Sequence, residues 1–210
     1  MKVGTDGVLL GAWADGSGCR SVLDVGAGTG LISLMLAQRY PGVSVTALEL
    51  DSDAVDEATV NVAESPWSDR IHVVAGDFLS YGDTVRYDMI ISNPPFFVDA
   101  LKSGDTRRSL ARHAGGLNYH VLIERALLLL NPGGRLNMIL PAEFEEDIYF
   151  QASLNGLTAS RMVRVFTRPS APPKRILVEL VNTTSGIICC HDELVIGSEE
   201  YIRLTDKFYL

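Results

Sequence analysis

The sequence predicts an α/β fold: a mostly parallel sheet that a C-terminal antiparallel hairpin completes. Three observations carry that expectation. Short β-branched and aliphatic runs at residues 21–25, 43–50, 71–75, 87–92 and 136–140 alternate with helical stretches, the order that βαβ units impose. Glycine, acidic or proline residues end one run after another, where an open parallel sheet binds its ligands. Two further apolar runs, 162–166 and 176–181, are joined by a stiff proline-rich tip, which favours a hairpin. At 210 residues the chain fits one domain with a sizeable core. That domain is expected over residues 1–210, with a lid helix within 1–20 and the hairpin within 157–182.

In chain order, Gly4-Thr5-Asp6-Gly7 opens an apolar helical stretch at residues 8–14, which Thr5 or Asp6 is placed to cap. Such a helix, just ahead of the first strand, would lie over the ligand end of the sheet. Leu23-Asp24-Val25-Gly26-Ala27-Gly28-Thr29-Gly30 follows, and residues 31–38 then read as a helix. A strand, a glycine turn and a helix start bring backbone N–H groups close to a ligand. A dinucleotide fingerprint would put its third glycine at Leu31. Here Gly26, Gly28 and Gly30 alternate strictly, with Asp24 two residues ahead. The loop alone leaves a dinucleotide site and a plain tight turn open.

The second strand ends in Glu49, followed by Leu50 and Asp51. A carboxylate there can accept hydrogen bonds from both hydroxyls of an adenosine ribose, while Asp51 suits a cap for the helix at 54–63. The third strand ends in Gly76-Asp77-Phe78. Asp77 can accept from an adenine amino group, and Phe78 can cover the ring. The fourth ends in Asn93-Pro94-Pro95-Phe96. Pro94 and Pro95 have no N–H, so this rigid loop presents acceptors, the Asn93 side-chain oxygen and the Pro94 carbonyl. A substrate amino group with two N–H donors matches that pair, and Phe96 offers a face for a planar base or amide. Residues 98–118 form a long connection, which in a compact domain suggests function. Asn131-Pro132-Gly133-Gly134 should stop the helix at 119–130 ahead of the fifth strand. A helix at 143–155, the hairpin and a short strand near 194–196 complete the chain, leaving 186–210 without a sharp motif.

The net charge of −8 argues against a polyanionic partner until its distribution is read. Residues 1–100 hold 5 basic and 14 acidic side chains, a net of −9. Residues 101–135 hold 6 and 2, and residues 159–180 hold 5 and 1, each a net of +4. Two basic segments on an acidic body could form one nucleic-acid-facing side. They place Lys102, Arg107, Arg108, Arg112, His113, Arg168, Lys174 and Arg175 as candidate contacts. Three cysteines, Cys19 and the adjacent Cys189-Cys190, form no disulfide framework and no metal spacing. No apolar run reaches the ~18 residues of a membrane span. A reduced cytoplasm, no metal and no membrane partner are expected.

The glycine loop resembles motif I of the S-adenosylmethionine-dependent methyltransferases. Asn93-Pro94-Pro95-Phe96 resembles motif IV of those that methylate amino nitrogens, either the exocyclic N6 of adenine or the glutamine amide of release factors. A narrower likeness joins Met1-Lys2-Val3-Gly4-Thr5-Asp6-Gly7-Val8-Leu9-Leu10-Gly11-Ala12-Trp13, Asn93-Pro94-Pro95-Phe96-Phe97 and Ala111-Arg112-His113. Together these resemble the bacterial tRNA1(Val) (adenine-37-N6)-methyltransferase family. The resemblance implies a Rossmann-like, seven-stranded class I methyltransferase domain that uses S-adenosyl-L-methionine and acts on a tRNA anticodon loop, as a monomer or weak homodimer. Its catalytic set would be Asn93, Pro94, Pro95 and Phe96. Its cofactor set would be Thr5, Asp6, Asp24, Gly26, Ala27, Gly28, Gly30, Glu49, Leu50, Asp77, Phe78 and Asn93. Family members carry a further segment ahead of the stretch matched by Met1–Trp13, so a truncated chain or an internal methionine start is expected here. Rival readings are a release-factor glutamine methyltransferase, another RNA or DNA adenine methyltransferase, and a non-catalytic RNA-binding relative.

Overall fold

Eight strands form one sheet in the order β3-β2-β1-β4-β5-β7-β6-β8, seen in a computed structural model that describes residues 4–82, 85–95, 117–183 and 189–208. The strands are β1 (Ser21–Val25), β2 (Ser44–Glu49), β3 (Ile71–Ala75), β4 (Tyr87–Ser92), β5 (Leu130–Pro141), β6 (Thr158–Phe166), β7 (Arg175–Val181) and β8 (Cys190–Val195). The helices are α1 (Thr5–Trp13), α2 (Leu31–Arg39), α3 (Ser52–Ala63), α4 (Tyr119–Leu129), α5 (Glu145–Leu154) and α6 (Glu199–Thr205). β1 to β5 are parallel neighbours. β7 runs antiparallel between β5 and β6, as the hairpin predicts.

Among the described residues the sheet has eight strands where seven were expected, because β8 adds in parallel to β6. Its sequence, Cys-His-Asp-Glu-Leu-Val, is mostly polar and exposed, so only its Leu194 end was legible. Two cores sandwich the sheet. Leu9, Leu10 and Trp13 of α1, Ile32 and Leu36 of α2, and Tyr201 of α6 pack on one face. Leu122, Ile123, Ala126 and Leu129 of α4 with Ile148 of α5 pack on the other. The central strands are buried on both faces, which is why β1 and β4 read as near-continuous apolar runs.

Two local expectations are corrected. α1 starts at Thr5 with Gly4 as its N-cap and no side-chain cap, so Thr5 and Asp6 lie in its first turn. Asn131-Pro132-Gly133-Gly134 does not separate helix from strand, since β5 begins at Leu130 and carries the four residues as an irregularity. Gly134 is forced there, because a Cβ would stand 2.8 Å from the Asn131 carbonyl oxygen and 3.0 Å from that of Tyr87. Asp51 caps α3 as predicted, accepting from the Ala54 N–H at 2.9 Å.

Candidate functional site

The sheet reverses direction of growth between β1 and β4, neighbours at its centre. Open α/β sheets bind ligands outside the carboxyl ends of such a pair. The glycine loop leaves β1 at this point and Asn93-Pro94-Pro95 leaves β4. Ser92 fastens the two ends together, its buried hydroxyl donating to the Val25 carbonyl at 2.8 Å. Asn93 is half-buried, Pro94 buried and Pro95 exposed. Phe96, Lys102, Arg107, Arg108, Arg112 and His113 lie outside the described residues.

Gly26, Gly28 and Gly30 all have left-handed backbones, φ +68°, +56° and +82°, which side chains rarely adopt. The expected row of free N–H donors is absent among them. Gly26 and Ala27 donate to the Leu48 carbonyl, and Gly30 donates to that of Ala27. Gly28 donates to Glu49 Oε2 at 2.7 Å. Glu49 Oε1 in turn accepts from the N–H groups of Leu50 and Asp51, at 2.8 and 2.9 Å. A carboxylate therefore stands where a phosphate would have to approach. This electrostatic arrangement disfavours a dinucleotide and suits a ligand whose nearest groups are hydroxyls.

Asp24 stands behind the loop rather than in the cleft. It is 1% exposed, and its Oδ2 accepts from the Ser33 hydroxyl of α2 at 2.7 Å. It holds the strand and the helix together around the glycines. Burial raises its pKa to about 7, against the Ser33 hydrogen bonds and with help from the Glu49 charge. Ser33 and Ser92 were missed in the sequence, where the only signal is a serine inside an apolar helix or strand.

Leu50, beside Glu49, is 69% exposed, an apolar side chain standing open at the cleft. Asp77 is half-buried, and its Oδ1 accepts from the Leu79 N–H at 2.9 Å. Phe78 points away from the cleft, 4% exposed in the core beneath the Arg125 guanidinium, which lies 5.6 Å from its ring centroid. Asp6 pairs with Arg175 Nε at 2.8 Å, which ties the start of α1 to the start of β7. Both ends lie at the carboxyl edge, because Arg175 is registered with Pro141 at the end of β5.

Much of the apparent basic surface is spent inside the fold. Arg164 forms a forked pair with Glu145, Arg161 lies over the Trp13 ring, and Arg135 donates to the carbonyls of Asp15 and Ser17. In the segment 159–180, Arg168 and Lys174 are the exposed basic residues, both on the tip between β6 and β7.

A family model described as Methyltransferase small domain matches residues 8–161. A protein of Bacteroides thetaiotaomicron named tRNA1(Val) (adenine(37)-N6)-methyltransferase is 45% identical over 100% of this chain and 91% of its own length. A Tolumonas auensis protein of the same name is 41% identical over 100% of this chain and 90% of its own. Among solved structures, a predicted O-methyltransferase of Agrobacterium tumefaciens aligns over 96% of both chains with a TM-score of 0.73 at 21% identity. A glycopeptide N-methyltransferase complexed with sinefungin aligns over 84% of this chain and 94% of its own, with a TM-score of 0.59 at 16% identity. At those identities the two structures establish the fold.

Asp24 supplies a stability test. Unfolded, its carboxyl ionises near 3.8, whereas in the fold it keeps its proton to about pH 7. Between those values the folded state binds the extra proton, so its contribution to stability is present below pH 3.8 and is lost as pH rises towards 7. The slope approaches about 1.4 kcal/mol per pH unit. Asp24→Asn cannot ionise and should gain stability relative to the parent between pH 5 and pH 8 in urea unfolding. An equal difference at both pH values would refute the assignment.

Proposed function

This chain belongs to the methyltransferase small domain family and, within it, to the tRNA1(Val) (adenine(37)-N6)-methyltransferases; from that premise we propose that it methylates the exocyclic N6 of adenine 37 in tRNA1(Val), using S-adenosyl-L-methionine. The observation that carries the reading is the meeting, at the β1–β4 junction, of a carboxylate-lined glycine loop with an Asn-Pro-Pro turn whose prolines have no N–H.

The residues fit the cofactor. Its adenosine has ribose hydroxyls for Glu49, a ring for the exposed Leu50 and an amino group for Asp77, and it brings no phosphate to the Gly28–Glu49 contact. Gly26, Ala27, Gly28 and Gly30 would line the loop that receives it, and Asp24 sets the shape of their turn. When bound, the cofactor supplies an electrophilic methyl group on a sulfonium.

The chain's own task is to make a poor nucleophile competent. The N6 lone pair of adenine is delocalised into the ring. Asn93 Oδ1 and the Pro94 carbonyl would each accept one N–H of the amino group, turning it so that the lone pair localises. The same two oxygens would stabilise the positive charge that grows on nitrogen, from a turn whose backbone the prolines restrict. Phe96 would hold the base by stacking. Positioning of this kind contributes roughly 7–11 kcal/mol to catalysis. No side chain need act as base, since the methylated, cationic nitrogen gives up its proton to water. An anticodon-loop adenine is partly unstacked, so presenting it costs less than flipping a paired base. Arg168 and Lys174, exposed at the edge that carries the site, would meet the RNA backbone.

Labelled S-adenosylmethionine and total tRNA from a strain lacking the enzyme test the reaction. Label should appear as N6-methyladenosine in one valine tRNA. Asn93→Ala should abolish transfer, by at least about a hundredfold in kcat, with cofactor affinity nearly unchanged; loss of both would make Asn93 structural. Glu49→Ala should first weaken cofactor affinity, read by calorimetry, and an unaltered Kd would remove the ribose assignment. Arg168→Glu with Lys174→Glu should weaken tRNA binding and flatten its salt dependence by about two contacts. Equal salt slopes would leave the tip without an RNA role.

A further inference from the structure

Beside the cleft stands a set of rings that the reaction itself does not use. Tyr119 and His120 open α4, and Phe144 lies in the 3-10 turn Ala142–Phe144 that follows β5. The Tyr119 ring contacts both of the others, with centroids 5.1 Å from Phe144 and 4.3 Å from His120 and tilts of 33° and 35°. Asp147 of α5 fixes the arrangement. Its Oδ2 accepts from the Tyr119 hydroxyl at 2.7 Å and lies 3.2 Å from His120 Nε2. Tyr119 and Phe144 pack against the core, while 34% of the His120 side chain remains exposed.

The location follows from the backbone. Leu117 reaches the glycine loop, its Cδ2 lying 3.1 Å from where a Cβ on Gly26 would be. Asn118 is extended, with φ −147° and ψ 169°, so the Cα atoms of Leu117 and Tyr119 are about 7 Å apart. Phe144 follows the carboxyl end of β5, the strand next to β4, which delivers Asn93. The rings thus stand at the carboxyl edge of the sheet, the edge that carries the glycine loop and Asn93.

Their chemistry selects the kind of group received. A carboxylate beside a planar ring repels phosphate, and Glu143 adds negative charge close to Tyr119. A nucleobase suits the site on both counts, offering a face to stack and amino or imino N–H groups for Asp147. We propose that His120, held against the Tyr119 ring and Asp147, stacks an unpaired base of the substrate RNA that flanks the target adenine. The inference rests on the RNA methyltransferase reading above. It makes His120 a substrate-positioning residue that selects RNA with a free base next to the target.

The test uses the full chain and a tRNA1(Val) transcript. His120→Ala should raise KM for the transcript by about five- to a hundredfold, the size of one lost base stack, with kcat at saturating RNA and the cofactor Kd unchanged. His120→Phe should restore KM, since a ring suffices. In a transcript made abasic at the flanking position, parent and His120→Ala should have equal KM. An unchanged KM in His120→Ala overturns the inference, as does failure of His120→Phe to restore it. Methyl transfer by the parent enzyme distinguishes the two readings. Transfer with an indifferent His120 sinks only this inference, whereas no transfer to tRNA, or transfer to a release-factor glutamine instead, sinks both.

Discussion

The cleft depends on how a flexible turn is made definite. Three glycines at positive φ between β1 and α2 have more freedom to lose than any other residues. Two carboxylates remove that freedom from opposite sides. Asp24 joins strand to helix from within the core, and Glu49 grips the Gly28 N–H from the cleft. The hydrogen bond from the Gly28 N–H to Glu49 also puts negative charge where a phosphate-binding loop presents bare donors.

The reactive half of the cleft is placed by sheet register instead. Ser92 at the end of β4 bonds to the end of β1, so the Asn-Pro-Pro turn cannot drift from the glycine loop. Around this centre the arginines mostly close the fold. Arg39 donates to the last carbonyls of α1 at Gly11 and Ala14, and Arg70 donates to Ala37, Tyr40 and Val43 at the end of α2. The helix termini facing away from the site are thereby satisfied, and the hairpin tip keeps Arg168 and Lys174 exposed.

The parts of this fold that show in the sequence are those where punctuation and burial agree. β1, β2 and β4 are apolar runs cut off by glycine, an acidic pair or two prolines, and all three end where expected. The turn at residues 131–134 misleads because its glycines serve close backbone contact within β5 rather than a helix stop. Charge counting misleads for a related reason. Arg161, Arg164 and Arg175 belong to the basic segment by sequence, yet long-range partners such as Glu145 and Asp6 occupy the latter two. Phe78 looked like a cleft aromatic because it follows Asp77, but chain adjacency says nothing about which way a ring turns. Its burial under Arg125 comes from a helix almost 50 residues later in the chain.

The eighth strand has a consequence for the molecule in a crowded cell. Without it, β6 would be the outer strand of the hairpin, with its unpaired backbone donors and acceptors flanked by the apolar Val163 and Val165. An open row of that kind is a template for strand addition by a neighbouring chain, and so for aggregation. β8 covers it and presents His191, Asp192 and Glu193 outward in its place. The hairpin then carries its exposed tip, with Arg168 and Lys174, on a sheet whose own margin discourages intermolecular pairing.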